Sequence, residues 1–111
     1  MSTKLDEEKL LGLFELSHDG KVLYSSFESP QGEMSRQFSY DGSDFFKDIA
    51  HFKNVEDFHR RFEMFRIAES RSTSFSFTCQ YPDGPHNVRV VMARLMMDSG
   101  SDSFLVHFKR P

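Results

Sequence analysis

The sequence predicts an α+β domain, a single antiparallel sheet with helices gathered on one face, and three observations carry that prediction. Apolar residues follow strand periodicity near the start, helical periodicity in the middle and strand periodicity again towards the end. That order places the helices between two groups of strands, which suits a sheet covered on one side. Thirteen of the 111 residues are Phe and none is Trp. Rings bury large areas, so a Phe-rich interior can offset the ordering entropy of a short chain. The length suits one domain with its own core and is too short for two.

Taken in order, residues 1–10 read as a short amphipathic helical segment, with Thr3 as N-cap, Asp6 three positions later, and Leu5 and Leu10 facing roughly one way. Alone such a segment is marginal, so it must dock or fray. Residues 11–111 read as the domain proper. Leu11–Leu16 and Val22–Ser26 are two strands joined through His18-Asp19-Gly20-Lys21, whose Asp-Gly pair suits a tight hairpin. Phe27–Asp44 is polar, with Pro30, Gly32 and Gly42, and reads as loop or short helical turns. Ser43-Asp44 caps a brief helix through Phe45, Phe46, Ile49 and Ala50. The long helix follows, with Asn54 as N-cap and Val55, Phe58, Phe62 and Phe65 at helical spacing.

The last third is three strands. In Thr73–Tyr81, Phe75, Phe77, Cys79 and Tyr81 alternate with Ser74, Ser76, Thr78 and Gln80. Pro82-Asp83-Gly84-Pro85 forms a turn, and Asn87–Met97 carries apolar residues on both faces towards its end. After the loop Asp98–Asp102, Phe104–Phe108 alternates once more.

Charge and motifs exclude several function classes. The formal net charge is −3, and the basic residues are scattered, so no field draws in nucleic acid. No apolar run spans a bilayer and the start carries no signal segment, so a cytoplasmic location is expected and no membrane partner. Cys79 is the one cysteine, which rules out an internal disulfide. His18, His51, His59, His86 and His107 lack metal-ligand spacing, so surface or loop positions are expected for most of them. No nucleophile elbow, phosphate loop or HExxH motif is present, and no enzymatic activity is expected.

Asp44-Phe45-Phe46-Lys47-Asp48-Ile49-Ala50, Asp57-Phe58, Arg61-Phe62, Thr73–Thr78, Val88–Met92 and Phe108-Lys109-Arg110 together resemble photoactive yellow protein, as does Asp19–Leu23 upstream. The resemblance covers about Leu11 to Arg110 and implies a PAS domain: a five-stranded antiparallel sheet whose helices enclose a pocket. That family holds p-coumaric acid as a thioester on a cysteine. The matching position here is Phe52, which offers no nucleophile. Ser25 stands in the place of the tyrosine on the chromophore phenolate and Ser29 in that of its acidic partner, while Glu33 and Ser35 replace a threonine and an arginine. The resemblance therefore implies the fold without the photochemistry, and no p-coumaric acid cofactor.

Two functions follow as expectations. The first is a non-photoactive regulatory module that binds a protein partner or a second copy of itself, through an outer sheet face with candidates Leu5, Leu10, Leu13, Leu105 and His107. The second is a sensor of a small molecule or cofactor in a pocket lined by Phe46, Phe52, Phe62, Phe75, Cys79, Ser25 and Ser29. Some PAS domains bind haem, for which His51 or His59 would be the ligand. The Phe52 ring is expected to fill the chromophore's space and convert cavity into core. Cys79 is expected to be a buried small apolar residue, the alternative being a relocated attachment or redox site.

Overall fold

The computed structural model describes residues 9–96 and 101–111, so the expected helix over residues 1–10 lies almost wholly outside the described residues. The strands are β1 (Gly12–Ser17), β2 (Val22–Glu28), β3 (Met34–Arg36), β4 (Ser72–Tyr81), β5 (Gly84–Leu95) and β6 (Ser103–Lys109). They form one sheet in the order β3-β2-β1-β6-β5-β4, antiparallel at every pairing. The sheet has six strands rather than the expected five, because Met34–Arg36, in the stretch read as loop, pairs with Ser26–Glu28. Three residues are too few to show a period, so this strand has no signature in the sequence.

The β1–β2 hairpin forms at the expected place, but of the Asp-Gly pair only Gly20 takes a left-handed φ, 84°. A side chain there would also meet the ring of Phe46, whose Cε2 lies 3.0 Å from the site of a Cβ. At Gly12 a Cβ would sit 2.2 Å from the Ser26 carbonyl oxygen, so β1 and β2 approach as they do only because that side chain is missing.

Asp44 caps the next element as expected, accepting from the Phe46 and Lys47 amides at 3.0 and 3.2 Å. The element is a single π-helical turn, Phe45–Ile49, that buries Phe45, Phe46 and Ile49. The long helix, α1 (Val55–Ala68), lays Phe58, Phe62 and Phe65 against the sheet. It ends at Glu69, a non-glycine residue at φ 61°. Arg94 of β5 closes that end, donating to the carbonyls of Phe65, Arg66 and Ser70 at 3.2, 2.8 and 3.1 Å. A guanidinium there neutralises orphan carbonyls and the negative end of the helix dipole together.

Cross-strand register sorts the sheet into two faces. Phe14, Val106 and Met92 lie in one row, Phe108 and Val90 in the next, and all five are buried beneath the helices. Burying side chains of this size contributes about 1.5–3 kcal/mol each. Leu13, His107 and Val91 form a row on the opposite face, as do Glu15, Leu105 and Ala93, and these residues are half-buried. The apolar residues expected on both faces of β5 are therefore present.

Candidate functional site

Phe52, which the resemblance matches to the chromophore cysteine, sits in the short link between the π turn and α1. The Ala50 amide donates to the Phe45 carbonyl at 2.9 Å and ends the π turn. Three residues past Ala50 the chain is pinned to the edge of β4, where the Lys53 amide donates to the Gln80 carbonyl at 2.7 Å. Asn54 completes the clamp: its side-chain amide donates to the Thr78 carbonyl at 2.9 Å and accepts from the Gln80 amide at 3.0 Å. This corrects the expected N-cap. Asn54 does precede α1, but its side chain makes no cap hydrogen bond because both ends are spent on β4.

Held at both ends, Phe52 can only point inward, and it is 2% exposed. Its ring centroid lies 5.9 Å from those of Phe77 and Tyr81 and 6.4 Å from those of Phe58 and Phe108. Edge and tilted pairings of this kind add attraction beyond the area they bury. The ring is thus packed into the core between α1 and the inner face of the sheet.

The other pocket candidates divide. Phe62 is fully buried against Phe46 and Phe104, and Phe46 stacks on His59 at 3.9 Å beneath the hairpin turn. Cys79 faces inward and is fully buried, with its thiol pushed up to about 12 by burial. A thiol held protonated is a poor nucleophile, so the site suits a packing residue and not an attachment point. Ser25 is buried but its hydroxyl donates to the Gln37 carbonyl at 2.8 Å, which ties β2 to the chain after β3. Phe75 is half-buried at the open margin between α1 and β4, with the Arg61 guanidinium 4.4 Å above its ring. Ser29 is not a pocket residue: its hydroxyl accepts from the Gln31 and Glu33 amides and shapes the β2–β3 loop.

The two haem-ligand candidates do not fit that role. His51 is exposed and its ring meets the Asp48 carbonyl at 2.9 Å. His59 is exposed on α1, flat against Phe46 and 3.6 Å from Glu63. Neither imidazole is aimed at the core. No group of three or more His, Cys, Asp or Glu is placed to hold a metal ion among the described residues.

Of the expected interaction residues, Leu13, Leu105 and His107 do share the outer face, and Leu5 lies outside the described residues. Leu10 is a correction. It is 6% exposed and belongs to the core, with its amide donating to the Tyr81 hydroxyl at 2.9 Å. Tyr81 is on the inner face, so the chain enters β1 from the helix side of the sheet and carries Leu10 with it.

That entry point gathers polar residues whose meeting the sequence did not signal. Lys9 pairs with Asp83 at 2.7 Å and lies 4.8 Å over the Tyr81 ring. Opposite Cys79 stands His86, whose Nε2 is buried with no hydrogen-bond partner among the described residues. Burial first, then Lys9, hold His86 below the usual histidine pKa, with Arg110 adding to the effect and Asp83 opposing it. His107 is shifted the same way by burial and Lys109, against Glu28. These two histidines sit half-buried in strands, whereas His18, His51 and His59 are exposed as expected for most of the five. No helix among the described residues is long and apolar enough to cross a membrane.

No family model matches the chain, and no curated protein matches it. Solved structures do. The photoactive yellow protein domain from the sensor histidine kinase Ppr of Rhodospirillum centenum superposes with a TM-score of 0.57 at 18% identity, over 96% of this chain and 93% of that one. The PAS domain of an HTR-like protein from Haloarcula marismortui superposes with a TM-score of 0.50, also at 18% identity, over 95% and 90%. Both comparisons span nearly the whole of each chain, so the likeness is of the complete fold and not of one hairpin or helix. The chain has the PAS fold and resembles photoactive yellow protein.

Proposed function

We propose that this PAS-fold domain is a regulatory module, without catalytic activity or pigment, that acts through protein contact at the outer face of its sheet, and that the partner is a second copy of this chain. The observation that carries this reading is the contrast at Phe52. The position corresponding to a pigment-bearing cysteine holds a ring wedged among four others, so the inner face is committed to packing. The outer face keeps Leu13, Val91, Ala93 and Leu105 half-buried in two adjoining rows. Apolar rows on a sheet face are suited to covering by a partner.

The neighbours' printed names, a sensor histidine kinase domain and an HTR-like protein, agree with a role in signalling. Native mass spectrometry on the purified protein tests the reading. The expected spectrum shows monomer and dimer at unadorned masses. A small molecule retained at a fixed stoichiometry would replace this function with ligand sensing.

A further inference from the structure

The two edges of the sheet are built differently. At one end β3 is three residues long, and Arg36 there is engaged with Asp41 and the Phe38 and Tyr24 rings. Short, charged edges of this sort resist pairing with other chains. At the other end β4 runs for ten residues, STSFSFTCQY, without one charged residue or proline. Nothing in that sequence discourages a further strand.

The direction of β4's backbone groups follows from its contacts. The Arg94 amide donates to the Arg71 carbonyl, so the odd-numbered positions turn towards β5. Thr78 and Gln80 turn the other way, where Asn54 and Lys53 satisfy them. By the two-residue period, the amides and carbonyls of Ser72, Ser74 and Ser76 also point away from β5, and all three residues are exposed. The clamp that closes the Thr78–Gln80 end stops before them.

Beside this open stretch, α1 and β4 border a groove of about 440 Å3 lined by Arg61, Met64, Phe65, Ala68, Thr73 and Phe75, with Ser70 at its end. That volume falls within the about 300–1,000 Å3 of ligand clefts. Its floor is apolar and Met64, at its rim, is 65% exposed. Arg60 and Arg66 on the same helix pair with Asp57 and Glu63, whereas Arg61 lies over the Phe75 ring and has no carboxylate in salt-bridge range among the described residues.

We propose that the Ser72–Ser76 edge of β4 accepts an extended peptide as an added antiparallel strand, with an acidic residue facing Arg61 and an apolar residue two positions later in the groove. The spacing comes from the register. In an added antiparallel strand, the residue opposite Phe75 shares its face and meets Arg61. The next residue on that face lies opposite Thr73, beside Phe65 and Ala68. Main-chain bonds would supply the affinity and these two side chains the choice of partner. The site lies at an edge of the sheet and not on the outer face, so it stands apart from the self-association proposed above.

The test is a titration of the 15N-labelled protein with the blocked peptide Ac-Ser-Glu-Thr-Leu-Ser-NH2, followed by amide shifts. Shifts concentrated at Ser72, Ser74 and Ser76 are expected, with affinity falling about tenfold when the peptide's Glu is replaced by Lys. Arg61→Glu is expected to reverse that preference, and Ser74→Pro, which removes one outward amide, to abolish binding of either peptide. Should Ser74→Pro fail to fold, the Arg61→Glu charge swap decides alone. Absence of shifts at millimolar peptide, or an equal response to the Glu and Lys peptides, would overturn the proposal. So would a peptide-free dimer that Ser74→Pro dissociates, since a second copy would then hold the edge. A dimer lost in Leu105→Asp while peptide binding persists would support both proposals as separate sites.

Discussion

The inner and outer faces of this sheet are made by the same strands, yet they obey different rules. On the inner face Phe14, Phe52, Phe58, Phe77 and Phe108 contact ring against ring, and, apart from Phe75 at the open margin beside α1, the residues expected to hold a ligand are spent on packing or on hydrogen bonds within the chain. On the outer face the rows through Leu13 and Leu105 mix apolar side chains with His107 and Glu15, whose carboxylate accepts from the Ser103 hydroxyl at 2.7 Å. On the function proposed above, the working surface is the back of the sheet and the space beneath the helices is core. Inner substitutions should then cost stability, and outer ones association.

The largest expected effect is at Phe52. Phe52→Ala leaves a ring-sized void between α1 and the sheet, and a loss of about 4 kcal/mol is expected in urea denaturation. A cost below about 1 kcal/mol would mean that the ring fills no tightly packed space, and the contrast between the faces would fail.

Next is Arg94, a charge placed on the inner side of β5, with its side chain 10% exposed. Its guanidinium stands over the Phe104 ring at 5.0 Å as well as bonding the end of α1. Arg94→Met keeps the stem and removes the donors, with an expected loss of about 2–3 kcal/mol. Hydrogen exchange should report it first in the last turn of α1.

A smaller effect is expected where the chain enters β1. Tyr81→Phe removes the acceptor of the Leu10 amide and should cost about 1–2 kcal/mol, seen as faster exchange of that amide.

The smallest effect is a pH dependence. His86 and His107 have lowered pKa values in the folded chain, so below about 6.5 the unfolded chain binds more protons than the folded one. Stability contributed by keeping these rings neutral is present above that pH and is lost as pH falls through the lowered values. The urea midpoint should therefore drop between about pH 7.5 and 5.5. The drop should flatten in the double variant His86→Gln, His107→Gln.

Much of this architecture was legible in the sequence because it is written in short-range patterns. The alternation in Thr73–Tyr81 and the spacing of Phe58, Phe62 and Phe65 report which side of an element is buried, and Asp44 lies next to the amides it caps. The strand at Met34–Arg36 was not legible, since its identity rests on pairing with β2 and not on a period of its own. Asn54 misled for a related reason. It has the chemistry of a cap, but the β4 backbone 24 and 26 residues away outcompetes the helix for it. Leu10 was assigned to the wrong face because a residue preceding a strand carries no face in its own periodicity; the Tyr81 hydroxyl 71 residues later decides it. Phe52 was singled out by the resemblance and not by any period, and its burial among four rings is what the structure adds. For Ser29, only the loop's own hydrogen bonds revealed a turn-forming role.

The central claim, that the outer face associates while the inner face packs, is tested most directly by sedimentation velocity over a wide range of concentrations, comparing the wild-type chain with Leu105→Asp. The wild type is expected to move from its monomer mass of 13.0 kDa towards twice that value, while Leu105→Asp stays monomeric with an unchanged circular dichroism spectrum. A wild type that remains monomeric at the highest concentration, or a dimer that Leu105→Asp leaves intact, would contradict it.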